Sequence, residues 1–180
     1  GAIRFFRANA ALLNLDPDRF AGLGGSAGGH LVALLGLTVD QELWESTGPY
    51  QGVSSRVAAV VDLFGPTDLR GMTLPAYQGD FADVFGEAIY NADAIWAFSP
   101  LAYVTGDAPP FLILHGDADR VVMLHHSEDL AAALQDVGVV AELIVVTGGG
   151  HSNELFRSEA SPDLDSLTQL LLAFLGEYLK

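Results

Sequence analysis

A serine hydroxyl attacks a carbonyl only when the backbone presents it and a neighbouring base removes its proton. Gly24-Gly25-Ser26-Ala27-Gly28 meets the first condition: it fits G-x-S-x-G, follows an apolar run and leads into a helical one. A turn that sharp holds Ser26 in a strained conformation with its hydroxyl outward, and glycines at 24 and 28 let the flanking backbone close up. Ser26 then sits at a helix N-terminus, where free amides, that of Ala27 first, favour a developing oxyanion. A phosphate loop would require a Walker lysine or a dinucleotide fingerprint, and no lysine precedes Lys180. The second condition points to Phe111-Leu112-Ile113-Leu114-His115-Gly116-Asp117-Ala118-Asp119, which puts two acids after a strand. Gly148-Gly149-Gly150-His151 then puts a histidine after the next strand. From the residues alone either aspartate could orient the histidine, the other serving as a turn or cap residue. The three glycines allow the histidine loop to pass close against another loop.

The elements that must hold these residues can be read from hydrophobic periodicity. Ile3, Phe6, Ala10 and Leu13 mark a helix over Ile3–Leu13, ended by Asn14-Leu15-Asp16-Pro17. Phe20–Gly24, Val57–Phe64, Phe111–Leu114 and Ala141–Val146 read as strands, mostly continuous in apolar character, as strands covered on both faces are. Helices are expected over Leu31–Leu35 and Ser127–Val137. Leu164, Leu167, Leu171, Phe174, Leu175 and Tyr178 mark one face of a closing helix. Alternating strands and helices predict an α/β fold, a three-layer α/β/α sandwich around a mostly parallel sheet. Residues 65–103 break the rhythm with prolines and the aromatics Tyr77, Phe81, Phe85, Tyr90, Trp96 and Phe98. This insertion either lines an apolar pocket at the carboxyl ends of the strands or covers the sheet. Tyr77, Trp96 and Phe98 are the candidate pocket residues. His125, His126 and Glu128 read as a solvated helix start and not a metal site. Asp68 reads as a turn or cap residue, and His30 as a packed or hydrogen-bonded residue without a catalytic role.

These pieces together resemble the α/β-hydrolase esterases, in the branch holding hormone-sensitive-lipase-like carboxylesterases and bacterial acetyl or feruloyl esterases. The resemblance rests on Asp16-Pro17-Asp18-Arg19, Gly24 to His30, Phe64-Gly65-Pro66-Thr67-Asp68, Ser99-Pro100-Leu101, His115 to Asp119 and Gly150-His151. It implies the α/β-hydrolase fold, and it makes the second aspartate after the His-Gly pair the triad acid: Asp119, with Asp117 structural. The activity implied is hydrolysis of carboxylic esters with small to medium acyl groups through Ser26, His151 and Asp119, with an acyl-enzyme intermediate and the Ala27 amide on the oxyanion. No cofactor or metal is implied. One departure stands out, because relatives carry several strands and a His-Gly-Gly-Gly type loop before the elbow, and here residues 1–25 hold a helix and one strand. The expectation is a single domain over 1–180 that is N-terminally incomplete, with the Phe20–Gly24 strand exposing an apolar edge. A further segment or a homo-oligomer would complete it. Loss of one oxyanion donor would cost about 100-fold in rate. Two other readings therefore remain: a prolyl-oligopeptidase-like serine peptidase, and a catalytically weak remnant lacking the oxyanion loop.

Composition narrows the partners. The 180 residues are 50% hydrophobic and 17% charged, enough apolar content for one sizeable core. Eight basic against 23 acidic residues give a net charge of −15, so no basic face exists for nucleic acid or an anionic membrane. No apolar run reaches the length of a spanning helix, and the chain lacks cysteine, which excludes disulfides and thiolate chemistry. The expected partner is a small-molecule ester. The sequence reads as a soluble protein, cytoplasmic or secreted, without deciding between them.

Overall fold

The computed structural model describes residues 1–39, 41, 48–73 and 78–180. Four parallel strands form one sheet: β1 (Ala21–Gly25), β2 (Ala59–Leu63), β3 (Phe111–Gly116) and β4 (Ala141–Val146), side by side in sequence order. The register pairs Gly24 with Asp62, Asp62 with Ile113, and Ile113 with Leu143. The helices are α1 (Ala2–Ala8), α2 (Ala10–Leu13), α3 (Ala27–Leu37), α4 (Gln78–Phe85), α5 (Ala92–Trp96), α6 (His125–Asp136) and α7 (Leu164–Tyr178). Among the described residues no helix is long and apolar enough to cross a membrane.

Alternation along the two inner strands builds two cores. Val60, Phe111 and Ile113 point to one face, where Ala33 and Leu37 of α3 and Leu130 and Leu134 of α6 cover them. Val61, Leu112 and Leu114 point to the other, against Leu155 and against Leu167 and Phe174 of α7. The result is the three-layer α/β/α arrangement expected of an α/β-hydrolase fold. Full burial of each apolar inner-strand side chain contributes about 1.5–3 kcal/mol, and apart from Asp62 and His115 the inner strands β2 and β3 carry no polar side chain.

The outer strands depart from the expected double coverage. In β1 Leu23 is 52% exposed, and in β4 Val145 is 37% exposed, because each lies at a sheet edge. The opening helix also departs, splitting at Asn9, whose φ of −108° and ψ of 15° leave the helical range while its side-chain amide donates to Phe5 O. It stops as expected at Asn14, which adopts the left-handed conformation at φ 53°. Of the face expected on α7, Leu167 and Phe174 are buried, but Leu164, in the first turn, is 53% exposed.

The described part of 65–103 forms short helices after β2, with 3₁₀ turns at Leu69–Thr73, Gly86–Tyr90 and Pro100–Tyr103 around α4 and α5. They own a small separate core of Leu69, Ile89 and Ile95, flanked by Phe85 and Phe98. Asn91 caps α5 by accepting from the amides of Asp93 and Ala94.

Leu134→Ala, at a site with no solvent exposure, is expected to lower stability by about 3 kcal/mol through lost burial and the cavity left behind. Leu172→Ala on the exposed face of α7 is expected to change it by less than about 0.5 kcal/mol. Urea midpoints at constant m-value measure both.

Candidate active site

The carboxyl ends of all four strands converge on one place. Ser26 follows β1, Phe64 follows β2, Asp119 follows β3 after a short turn, and His151 lies in the loop after β4. In a parallel sheet these ends lie side by side, so residues up to 125 positions apart in sequence come into contact.

Ser26 has φ 55° and ψ −120°, a region that non-glycine residues occupy only when the surroundings force them to. Its amide donates to Leu63 O at 2.9 Å, and its carbonyl accepts from His30 N at 3.0 Å, so both sides of the turn are fixed. A Cβ on Gly24 would collide with the Gly28 carbonyl, which is the close approach the motif requires. Gly28 itself has a different place: a side chain there would meet open space. The second crowded position is Gly29, where a Cβ would run into the Asp62 carboxylate and the Gly65 backbone. Ala27 opens α3, so its amide is among those without an acceptor inside the helix.

His151 Nε2 lies 2.9 Å from Ser26 Oγ, and His151 Nδ1 lies 2.7 Å from Asp119 Oδ2. The acceptor-only carboxylate assigns the proton to Nδ1, leaving Nε2 to accept from the serine hydroxyl. Asp119 is held in turn by the amides of Val121 and Val122, which donate to Oδ1 at 2.8 and 3.0 Å. The Phe64 ring packs edge-on to the His151 ring at 4.9 Å, delivered there by a backbone φ of 47°. On the other side the histidine loop presses against the β3 end: a Cβ on Gly116 would strike Gly149 O, and Ala118 N donates to the same carbonyl at 2.9 Å. Asp117 accepts from Gly148 N at 2.7 Å, so the first aspartate ties down the glycine loop.

The other candidates fall out as follows. Trp96 lies under the Arg70 guanidinium, 3.9 Å from ring centre, and Phe98 packs on Phe85 with ring centres 5.3 Å apart. Tyr77 lies outside the described residues. Asp68 accepts from Arg70 N and pairs with the Arg70 side chain, as a turn residue does. His30 is buried, and its Nδ1 donates to Pro66 O at 2.9 Å, which couples α3 to the segment after β2. Burial lowers its pKa against the raising effect of that bond. His126 corrects the expectation of a solvated helix start, because it is buried. Its Nδ1 accepts from the amides of Thr67 and Asp68 at 3.3 and 3.4 Å, while its carbonyl accepts from Thr67 Oγ1 at 2.6 Å. Desolvation, reinforced by His125 stacked on it, pushes the His126 pKa down to about 4. Among the described residues no group of His, Asp and Glu could hold a metal ion.

Two residues that the sequence did not single out belong to this framework. His115 is fully buried; its Nε2 donates to Val122 O at 2.9 Å and stands 3.4 Å from Asp119 Oδ2, and its Nδ1 accepts from Ser127 Oγ at 2.7 Å. It braces the turn that carries Asp119, and desolvation lowers its pKa, keeping the imidazole neutral. Asp62 has no solvent exposure, accepts from Gly65 N at 2.9 Å through Oδ1, and has no partner for Oδ2 among the described residues. Burial pushes its pKa up to about 7, against the lowering effect of the Gly65 amide. A lone acid inside the apolar run Val57–Phe64 was the available signal.

The family model BD-FAE matches residues 1–134. The chain belongs to the BD-FAE family. This BD-FAE chain is 34% identical over 144 residues to esterase LipQ of Mycobacterium tuberculosis, covering 76% of the chain and 33% of LipQ. It is 30% identical over 161 residues to esterase LipC of the same organism, covering 86% of the chain and 40% of LipC. The chain thus spans between a third and two fifths of the length of these relatives. Among solved structures, a truncated form of a carbohydrate esterase from gut microbiota superposes with a TM-score of 0.84 at 32% identity. That match covers 98% of this chain and 65% of the other.

The raised Asp62 pKa has a consequence for stability. The folded state holds a proton that the unfolded chain, with an aspartate near 3.9, releases, so this contribution is complete below about pH 4. It is lost as pH rises through about 7. Asp62→Asn is expected to remove that loss, so that its stability relative to wild type grows by about 2–3 kcal/mol between pH 5 and pH 8. Urea midpoints across that range report it, and parallel curves for the two proteins would refute the assignment.

Proposed function

We propose that this domain hydrolyses carboxylic esters through an acyl-enzyme, with Ser26 as nucleophile, His151 as general base and acid, and Asp119 as the residue that orients His151. The observation that carries the reading is the continuous chain of hydrogen bonds from Asp119 Oδ2 through His151 to Ser26 Oγ, at 2.7 and 2.9 Å. His151 Nε2 takes the hydroxyl proton as Ser26 Oγ attacks the carbonyl carbon, and Asp119 stabilises the imidazolium that results. The imidazolium then returns the proton to the departing alkoxide, leaving an ester on Ser26. Water, deprotonated by His151, cleaves that ester and restores the serine. The Ala27 amide donates to the oxyanion in both steps, at the N-terminus of α3. The esterase names of LipQ and LipC and the carbohydrate-esterase neighbour support ester substrates, and small to medium acyl groups are the reading for this chain.

Intact-mass labelling with a fluorophosphonate tests the reading directly. One adduct is expected on the wild-type chain and none on Ser26→Ala, with His151→Ala labelling at a small fraction of the wild-type rate. Asp119→Asn is expected to lower kcat on an activated acetate ester about 10⁴-fold, because the amide cannot hold the imidazole in the required tautomer. An adduct retained in Ser26→Ala, or amide hydrolysis outrunning ester hydrolysis, would overturn it.

A further inference from the structure

Beside His151 opens a cleft of about 610 Å³ whose described lining is Ala118, Arg120, Val121, His151, Glu154 and Arg157. Its charge runs against the rest of the molecule: of only eight basic residues in a chain of net charge −15, two stand here. Arg157 is held by Glu154 at 3.0 Å. Arg120 is exposed and makes no hydrogen bond or ion pair with any described residue. Of the two acids on the same turn, Asp117 accepts from the Gly148 amide, and Asp119 accepts from the Val121 and Val122 amides and faces His151. An unpaired guanidinium and a paired one lining the same cleft as the exposed Val121 suit a planar anion such as a carboxylate, which takes two parallel N–H donors.

The chemistry of the site decides which part of a substrate reaches it. The leaving oxygen must take its proton from His151 Nε2, so the alcohol departs on the imidazole's side, and a cleft lined by His151 receives it. We propose that this cleft is an alcohol-side subsite for a carboxylate, and that Arg120 selects esters whose alcohol portion is itself acidic. The proposal rests on the hydrolase reading above and adds a substrate class to it. Arg120 is the first residue after Asp119, so the turn that orients the histidine also presents the specificity-determining charge.

The test compares kcat/KM for phenyl acetate, for 3-acetoxybenzoate, which adds a carboxylate to the alcohol, and for monophenyl adipate, which adds one to the acyl group. Fluorophosphonate labelling of Ser26 runs in parallel. The wild-type chain is expected to favour 3-acetoxybenzoate over phenyl acetate. Arg120→Gln is expected to reduce that ratio about fivefold, as loss of one partly exposed charge pair does, and Arg120→Glu to reduce it further. Arg19→Gln, at the opposite end of β1 in an ion pair with Asp16, is expected to leave the ratio unchanged. A ratio that is the same in wild type, Arg120→Gln and Arg120→Glu overturns the proposal, as does a change confined to monophenyl adipate, which would place the anion on the acyl side. Absence of any adduct on folded wild-type chain is a different failure, removing the hydrolase reading and with it the subsite.

Discussion

Everything chemical in this domain depends on backbone pressed against backbone where side chains would not fit. At the elbow, Gly24 meets the Gly28 carbonyl, and that contact lets β1 turn into α3 with Ser26 at φ 55°. At the far side of the site Gly116 meets the Gly149 carbonyl, and that contact brings the histidine loop onto the end of β3. A methyl group at either place would push Ser26 and His151 apart, and their 2.9 Å hydrogen bond tolerates little displacement. The strain at Ser26 persists because its amide and carbonyl are both bonded, to Leu63 and His30.

Around this scaffold the buried polar groups are arranged to stay neutral or to be answered. His115, His30 and His126 all lose basicity by desolvation; His115 bonds both ring nitrogens, while His30 and His126 bond Nδ1 to fixed backbone groups. They act as braces: His115 for the Asp119 turn, His30 for the start of α3, and His126 for the segment after β2. Asp62 is answered only in part. It fills the space between Gly29 and Gly65 with one oxygen bonded and the other without a described partner. A half-answered buried carboxyl is ordinarily costly, and its position beneath the elbow makes it part of what fixes α3 to β2.

Much of this was legible in the sequence because the relevant rules are local. The elbow glycines, the two acids after Phe111–Leu114 and the glycines before His151 all announce a strand end, and the period of the apolar runs gave the layers. Asp119 was separated from Asp117 only by resemblance, and the structure supplies a physical reason for the difference. Asp117, two residues earlier, turns to Gly148, while Asp119 is buried and faces the ring. What stayed hidden was long-range: nothing near His126 says that Thr67 and Asp68 will donate to it, and nothing near Phe64 says its ring will lie on His151. The aromatics of 65–103 were ambiguous because Phe98 stacking on Phe85 uses the same residue type as a pocket wall would.

The small core of Leu69, Ile89 and Ile95 shares no member with the two cores that clamp the sheet. A cluster of that size carries little burial energy of its own, so the short helices from residue 86 to 98 are expected to open more readily than the sheet. Their amides would exchange with solvent by a partial opening that leaves the sheet, the elbow and the histidine loop in place.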